Sequence, residues 1–324
     1  MSFWLRSPGP TWSHWFWPST DTRARILDVD IGEQPKKSKK PVGTQVTLLD
    51  TTHANEIHFF LQKHFITYQK TRLCLTEERI KVGFESGWIG VGLFFNTSLI
   101  GLLISKPLGT MKIGAFQVQN TGLVDYFCVH SDWRKKGIGS CLLEELLHFT
   151  AQKRRVVHLF LKEGLPLYHM PSIYQSHYIW RNRDESQQIN LTIDEDTIKS
   201  AEVPYEGTLV TNHRSEDCML YCVSGFVICV YDLHCRSVPE GLRMGEILWI
   251  KGAGPASSDL RLQGPADLKA SIIEKVVDSL SFEIILMDCE IPHKSKTWKK
   301  DAMFNWYVFN CDPVNYKLKP YLLL

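Results

Sequence analysis

The segment best suited to chemistry is Arg134-Lys135-Lys136-Gly137-Ile138-Gly139-Ser140, three basic residues leading into two glycines. It follows an apolar strand, Val124–His130, and opens a run with helical periodicity. Glycines lack Cβ atoms, so backbone N–H groups there can approach a ligand closely, and a helix N-terminus adds positive potential. Strand, basic residues, glycines and helix therefore predict an anion cradle for a small phosphorylated group such as a diphosphate. The remaining polar clusters promise less. His213, Cys218, Cys222, Cys229, His234 and Cys235 lack a two-residue knuckle spacing, and Cys222 and Cys229 fall in strand-like sequence. Core thiols are expected there, and no metal.

The elements that position the cradle follow from hydrophobic period. Ile57, Phe60, Leu61 and Phe65 recur at helical spacing, with Thr52 as the expected N-cap, and a shorter helix is expected over Thr76–Phe84. Trp88–Phe95 and Leu99–Lys106 flank Asn96-Thr97-Ser98 and read as a hairpin, with Met111–Gln119 and Gly122–His130 as two further strands. Ile138, Cys141, Leu142, Leu146 and Phe149 mark a helix face from which Glu144 and Glu145 are expected to point away. Val156–Leu161 reads as the next strand. Beyond it, Cys218–Val223, Gly225–Leu233, Glu246–Lys251, Phe282–Met287 and Trp306–Asn310 read as strands and Ala266–Ser279 as a helix. The plan is mixed α/β around one sheet. We divide it into an irregular aromatic arm over 1–45, a first half over 46–190 and a second half over 191–324.

The 324 residues carry 37 Lys+Arg against 35 Asp+Glu, a net charge of +2, too small for a protein built to hold a nucleic-acid backbone. Basic residues do cluster at Lys36–Lys40, Arg134–Lys136 and Lys153–Arg155, any of which suits a small anion. The apolar runs are far shorter than the ~20 residues of a membrane helix. No secretory signal is visible at the N-terminus. Nine cysteines without framework spacing suit reduced thiols. A cytoplasmic monomer with no membrane span is expected.

The basic-glycine segment has the spacing of the acetyl-CoA-binding element of the GNAT superfamily. Phe127-Cys128-Val129-His130, with Arg134 four residues on, further resembles the acyl-CoA-binding strand and loop of the N-myristoyltransferases within it. His14-Trp15-Phe16-Trp17 is similar to that family's aromatic N-terminal element. Gly87-Trp88, Leu99-Ile100-Gly101, Ile104-Ser105, Leu165-Pro166 with Tyr174 and His177, and Asn305–Asn310 follow in the family's order. The resemblance runs from about Trp12 to Leu324, in a shortened and divergent form.

The resemblance implies two GNAT-like halves around a continuous saddle-shaped, mainly antiparallel sheet flanked by helices. It implies acyl-CoA, specifically myristoyl-CoA, as co-substrate, with no prosthetic group, and N-terminal glycine peptides as acceptors. Trp15, Phe16, Trp17, Phe127, Cys128, Val129, Arg134, Lys135, Lys136, Gly137, Ile138, Gly139 and Ser140 would hold the acyl-CoA. The amides of Tyr126 and Phe127 would stabilise the thioester oxyanion, their rings packing in the core. Tyr174 and His177 would face the acceptor. The family's base is its C-terminal carboxylate, which here is Leu324 in an apolar ending suited to burial. Two departures keep alternatives open. Gly137 and Gly139 are the generic GNAT form and favour a short-chain acetyltransferase. Thr67–Thr71 carries no acid where the family has an acidic peptide-binding loop, which favours a non-catalytic CoA- or peptide-binding module.

Overall fold

The computed structural model describes residues 25–26, 40–65, 71–113, 116–167, 172–184, 189, 191, 208–211, 217–223, 226–252, 266–291, 293, 296–312 and 319–321. Helix α1 (Ala54–His64) follows a 3-10 turn over Thr51–His53. Asp50, not Thr52, caps this turn: its carboxylate accepts from the Thr52 amide at 2.9 Å, and the His53 ring reaches back to complete a capping box. Helix α2 (Glu77–Glu85) starts where Thr76 accepts from the Arg79 amide. Helices α3 (Ile138–Gln152) and α4 (Ala266–Ser279) match the expected apolar period. Among the described residues no helix is long and apolar enough to cross a membrane.

Eleven strands form the path of one sheet: β1 (Thr44–Leu49), β2 (Ile89–Phe95), β3 (Ser98–Ile113), β4 (Phe116–Val129), β5 (His158–Glu163), β6 (Tyr174–Asn182), β7 (Cys218–Val223), β8 (Phe226–Ser237), β9 (Arg243–Gly252), β10 (Ile284–Asp288) and β11 (Lys299–Phe309). Their spatial order is β7-β8-β9-β10-β6-β11-β5-β4-β3-β2-β1. Pairing along that path is antiparallel except for β4 with β5 and β9 with β10. Each parallel pair is joined through a helix, β4-α3-β5 and β9-α4-β10, so one strand–helix–strand unit occurs twice in a mixed α/β, mainly antiparallel sheet. Strand β11, from near the chain's end, fills the centre by pairing with both β5 and β6.

Two expectations fail for identifiable reasons. Residues Leu99–Lys106 and Met111–Gln119 do not form separate strands, because β3 runs unbroken through Ile113 and β4 begins at Phe116. Register shifts at Pro107–Gly109 and Gly109–Met111 let the chain pass Pro107 and Gly109, which read as breaks, without leaving the sheet. Glu145 does not point away from the core. It is buried, with Lys40 3.4 Å from its carboxylate.

The sheet buries both faces. Helices α1 and α2 pack Ile57, Phe60, Leu61 and Ile80 against Leu102, Ile104 and Tyr126, whereas α3 packs Leu142 and Leu146 against Ile100 and Leu103 on the opposite side. Farther along, α4 places Ile273, Val276 and Val277 on Ile247, Ile285 and Met287. Gly245 in β9 lets this last layer close, since a Cβ there would lie 2.5 Å from the fully buried Phe282 ring. Overpacking of this kind costs about 1–3 kcal/mol, so Gly245→Ala is expected to lower the urea midpoint with an unchanged slope.

Candidate functional site

The site is built where β4 stops pairing with β5. Their parallel ladder joins Gly122 to His158, Leu123 to Leu159 and Val124 to Phe160, and there it ends. Both strands continue, β4 to Val129 and β5 to Glu163, so they diverge. Immediately beyond, β4 carries a bulge against β3: Leu102 pairs with Cys128 and Ile104 with Asp125, leaving Tyr126 and Phe127 opposite Leu103 alone. Tyr126 has φ +49°, a left-handed conformation that a bulky side chain seldom adopts. The two residues expected to present backbone donors thus sit at an irregularity of the ladder.

Their side chains part company. Tyr126 is 5% exposed and packs in the α1/α2 layer, as expected, whereas Phe127 is 47% exposed. The Tyr126 amide has an internal partner: it donates to Asp125 Oδ1 at 2.7 Å. Cys128 is buried, and burial pushes its thiol up to about 12, which removes it as a nucleophile.

Beyond the bulge the chain enters α3 through the predicted cradle. Gly137 is the helix N-cap at φ +82°, and a Cβ there would meet nothing within 4 Å, so open space adjoins it. Gly139 is different: its Cβ would lie 2.8 Å from the Phe127 ring, so this glycine lets the exposed ring lie against the helix entrance. Lys135 adopts φ +61°, and the Lys136 ammonium lies 5.0 Å from the centre of the Trp133 ring. Arg134, expected at the cradle, is exposed beside it. Its guanidinium turns back to donate to the carbonyls of Val129 at 3.0 Å and His64 at 3.4 Å, fastening the end of β4 to α1. Ile138 is buried at the helix start, while Val129 lies partly buried beside α3. Arg155 is likewise spent inside the fold, donating to Ser105 O and Gly87 O.

Sequence reasoning missed the polar group beside the bulge. Lys106 of β3 is buried with its ammonium 2.7 Å from Asp125 Oδ2, 2.9 Å from Tyr231 Oη and 3.2 Å from Tyr126 Oη. Burial is the largest single influence and opposes its charge, yet Asp125, Tyr126 and Tyr231 together outweigh it and hold the ammonium well above the ordinary lysine range. A signal was present: Leu102, Ile104 and Lys106 share one parity in an apolar strand, so the lysine had to face inward. Nearby, Arg79 clamps Asp217 with two 2.7 Å bonds, and His234 Nε2 lies 2.7 Å from the same carboxylate. Burial would raise the Asp217 carboxyl, but these partners hold it well below the usual range.

Tyr174 and His177 are not brought together, because three residues along a strand place them on opposite faces. Tyr174 Oη lies 2.8 Å from Asp288 Oδ2 and from Glu290 Oε2, alternative acceptors for its one proton, while His177 is exposed on the other side. On the face of Tyr174, Tyr178 donates to Glu246. Trp15, Phe16, Trp17 and Leu324 lie outside the described residues, as does most of the aromatic arm. Cys218, Cys222 and Cys229 are buried thiols in the sheet, as expected.

Residues 58–169 match the model of the acetyltransferase (GNAT) family, a span that contains the bulge, the divergence and the cradle. No curated protein matches the chain by sequence. Among solved structures, N-myristoyltransferase of Saccharomyces cerevisiae with bound myristoyl-CoA and inhibitors superposes with a TM-score of 0.69 at 15% identity, over 96% of this chain and 89% of that one. A second structure of the yeast enzyme with bound myristoyl-CoA gives 0.67 at 14% identity, over 96% and 92%. The chain therefore carries a segment that matches the GNAT family model and has the fold seen in N-myristoyltransferase.

Two outcomes follow from this geometry. Gly139→Val forces Phe127 off the helix entrance and is expected to weaken CoA binding by about tenfold, or ~1.4 kcal/mol, in calorimetry, with the circular dichroism spectrum retained. Glu246 is pushed up to about 7, first by burial and then by the charge of Asp288, against the Tyr178 hydrogen bond. Because its folded value exceeds the unfolded one, its stabilising contribution is complete below pH 4.5 and is lost as pH rises through 7. The difference in urea midpoint between the native protein and Glu246→Gln should therefore change across that window and stay constant above pH 8.

Proposed function

We propose that this protein is an acyl-CoA-dependent N-acyltransferase that transfers myristate from myristoyl-CoA to the N-terminal glycine of proteins. The observation that carries this reading is the coincidence of three features in the GNAT-matched segment. Parallel strands part at Val124 and Phe160, a bulge at Tyr126–Phe127 follows at once, and a glycine-bearing helix entrance lies beyond. The opening suits the pantetheine arm of CoA, and the helix entrance suits its diphosphate.

In this scheme the acceptor, as the neutral amine, attacks the thioester carbonyl, the carbon–sulfur bond breaks, and the proton lost from nitrogen passes to the leaving CoA thiolate to give the free thiol. Charge developing on the carbonyl oxygen falls to the amides at the bulge, where fixed donors act with little reorganisation. The Tyr126 amide serves once the Asp125 carboxylate swings aside. The fold of the yeast enzyme over 96% of the chain supports the myristoyl assignment. One observation favours an acetyl donor instead: Gly137 faces open space and Gly139 keeps the helix entrance narrow, the generic GNAT form.

Acyl transfer to a glycine-initiated peptide, followed by thiol release with acetyl-, palmitoyl- and myristoyl-CoA, tests the proposal. The expected result is a kcat/KM for myristoyl-CoA at least tenfold above that for acetyl-CoA. The reverse order would assign a short-chain acetyltransferase, and CoA binding without thiol release would assign a non-catalytic module.

A further inference from the structure

The Lys106 ammonium occupies an unusual place. Its three N–H donors are matched by three oxygens, those of Asp125, Tyr231 and Tyr126, and the rings of Tyr126, Trp88 and Tyr231 surround it with centroids at 4.4, 5.3 and 5.6 Å. Carboxylate, hydroxyls and aromatic faces together form a receptor for a primary ammonium ion. The carboxylate is also the one whose other oxygen accepts from the Tyr126 amide at 2.7 Å. A single side chain thus links the ammonium to a backbone donor of the proposed thioester site.

We infer that Lys106 is a built-in occupant of the acceptor-amine subsite, and that an acceptor binds by displacing its ammonium from Asp125. This inference rests on the proposed acyl transfer for the word acceptor, while the subsite itself is defined by the contacts above. Exposure supports the direction of exchange. The Asp125 side chain is 34% exposed and that of Lys106 only 9%, so an incoming amine reaches the carboxylate from solvent without moving the rings. A displaced Lys106 keeps the hydroxyls of Tyr231 and Tyr126 as partners. Competition between two ammonium ions for one carboxylate makes Lys106 a specificity-determining residue: it excludes amines that offer Asp125 nothing more than charge. Acceptors that bring further contacts, such as a peptide held along its backbone, can displace it.

The distinguishing experiment needs no turnover. Lys106→Ala removes three methylenes and the ammonium, which n-propylammonium replaces atom for atom. Thermal denaturation of Lys106→Ala in n-propylammonium chloride, against sodium chloride at equal ionic strength, is expected to show a saturable rise in Tm of about 2 °C or more. The native protein and the double variant Lys106→Ala/Asp125→Asn should show none. No rise in Lys106→Ala, or an equal rise in all three proteins, would overturn the inference.

Should Lys106→Ala fail to fold, Lys106→Met keeps the side-chain volume. Calorimetry with a glycine-initiated peptide is then expected to give at least threefold tighter binding to Lys106→Met than to the native protein, with no difference for the same peptide N-acetylated. Equal binding of the free peptide to both proteins would overturn the inference. A chain that turns over no acyl-CoA would refute the proposed function and leave the alkylammonium result standing.

Discussion

Backbone hydrogen bonding at the edge of a splitting sheet is the constraint on which this structure depends. Once β4 leaves β5 after Val124, and the bulge at Tyr126–Phe127 interrupts the β3 register as well, the Tyr126 amide takes its acceptor from a side chain. The Asp125 carboxylate supplies it by turning onto the adjacent Tyr126 amide. A donor freed from secondary structure but served by a movable side chain is available to a substrate oxygen without leaving an unsatisfied group in the empty protein. The positive φ of Tyr126 is the local cost of that arrangement, held by a ring packed against Trp88 at 5.6 Å and Phe65 at 6.2 Å.

The charges beside the bulge follow from the same opening. A sheet face lined by Leu102, Ile104 and Tyr126 offers little polar company, so Lys106 is tolerable there only with Asp125 and two tyrosine hydroxyls as partners. Arg79, Asp217 and His234 repeat the principle with a two-pronged guanidinium clamp that ties α2 to β8 and the start of β7. Trp88 lies against both clusters, its ring centre 5.3 Å from the Lys106 ammonium and 5.8 Å from the Arg79 guanidinium. Polar groups drawn from α2, β3, β4 and β8 therefore converge on one side of the sheet, the side opposite α3.

The second strand–helix–strand unit is closed by its helix. Its parallel pair β9 and β10 stays in register from Met244 with Ile284 to Ile247 with Met287, and α4 closes over it. Arg181 is instead bound to Glu274 and Asp278 of α4, with Trp298 donating to Glu274 at 2.7 Å, an arrangement that locks the helix to β6. One unit parts its parallel strands, and its counterpart is fastened by buried ion pairs.

Much of this was legible along the chain because it depends on local rules. Helical spacing marked α1 and α3, apolar runs bounded by turn residues marked most strands, and basic residues with two glycines after an apolar strand marked the entrance to α3. Local sequence did not reveal which residues oppose one another. The unbroken passage of β3 past Pro107, the burial of Glu145 and the separation of Tyr174 from His177 each depend on a partner distant in sequence or on strand parity. The sequence by itself determined most of the elements, the fold class and the basic, glycine-bearing entrance to α3. Tertiary structure alone decided the parting of β4 from β5, the bulge opposite Leu103 and the seat of Lys106 among Asp125, Tyr126 and Tyr231. Strand register is a contest between ladders, and a buried charge is fixed by whichever distant groups can satisfy it.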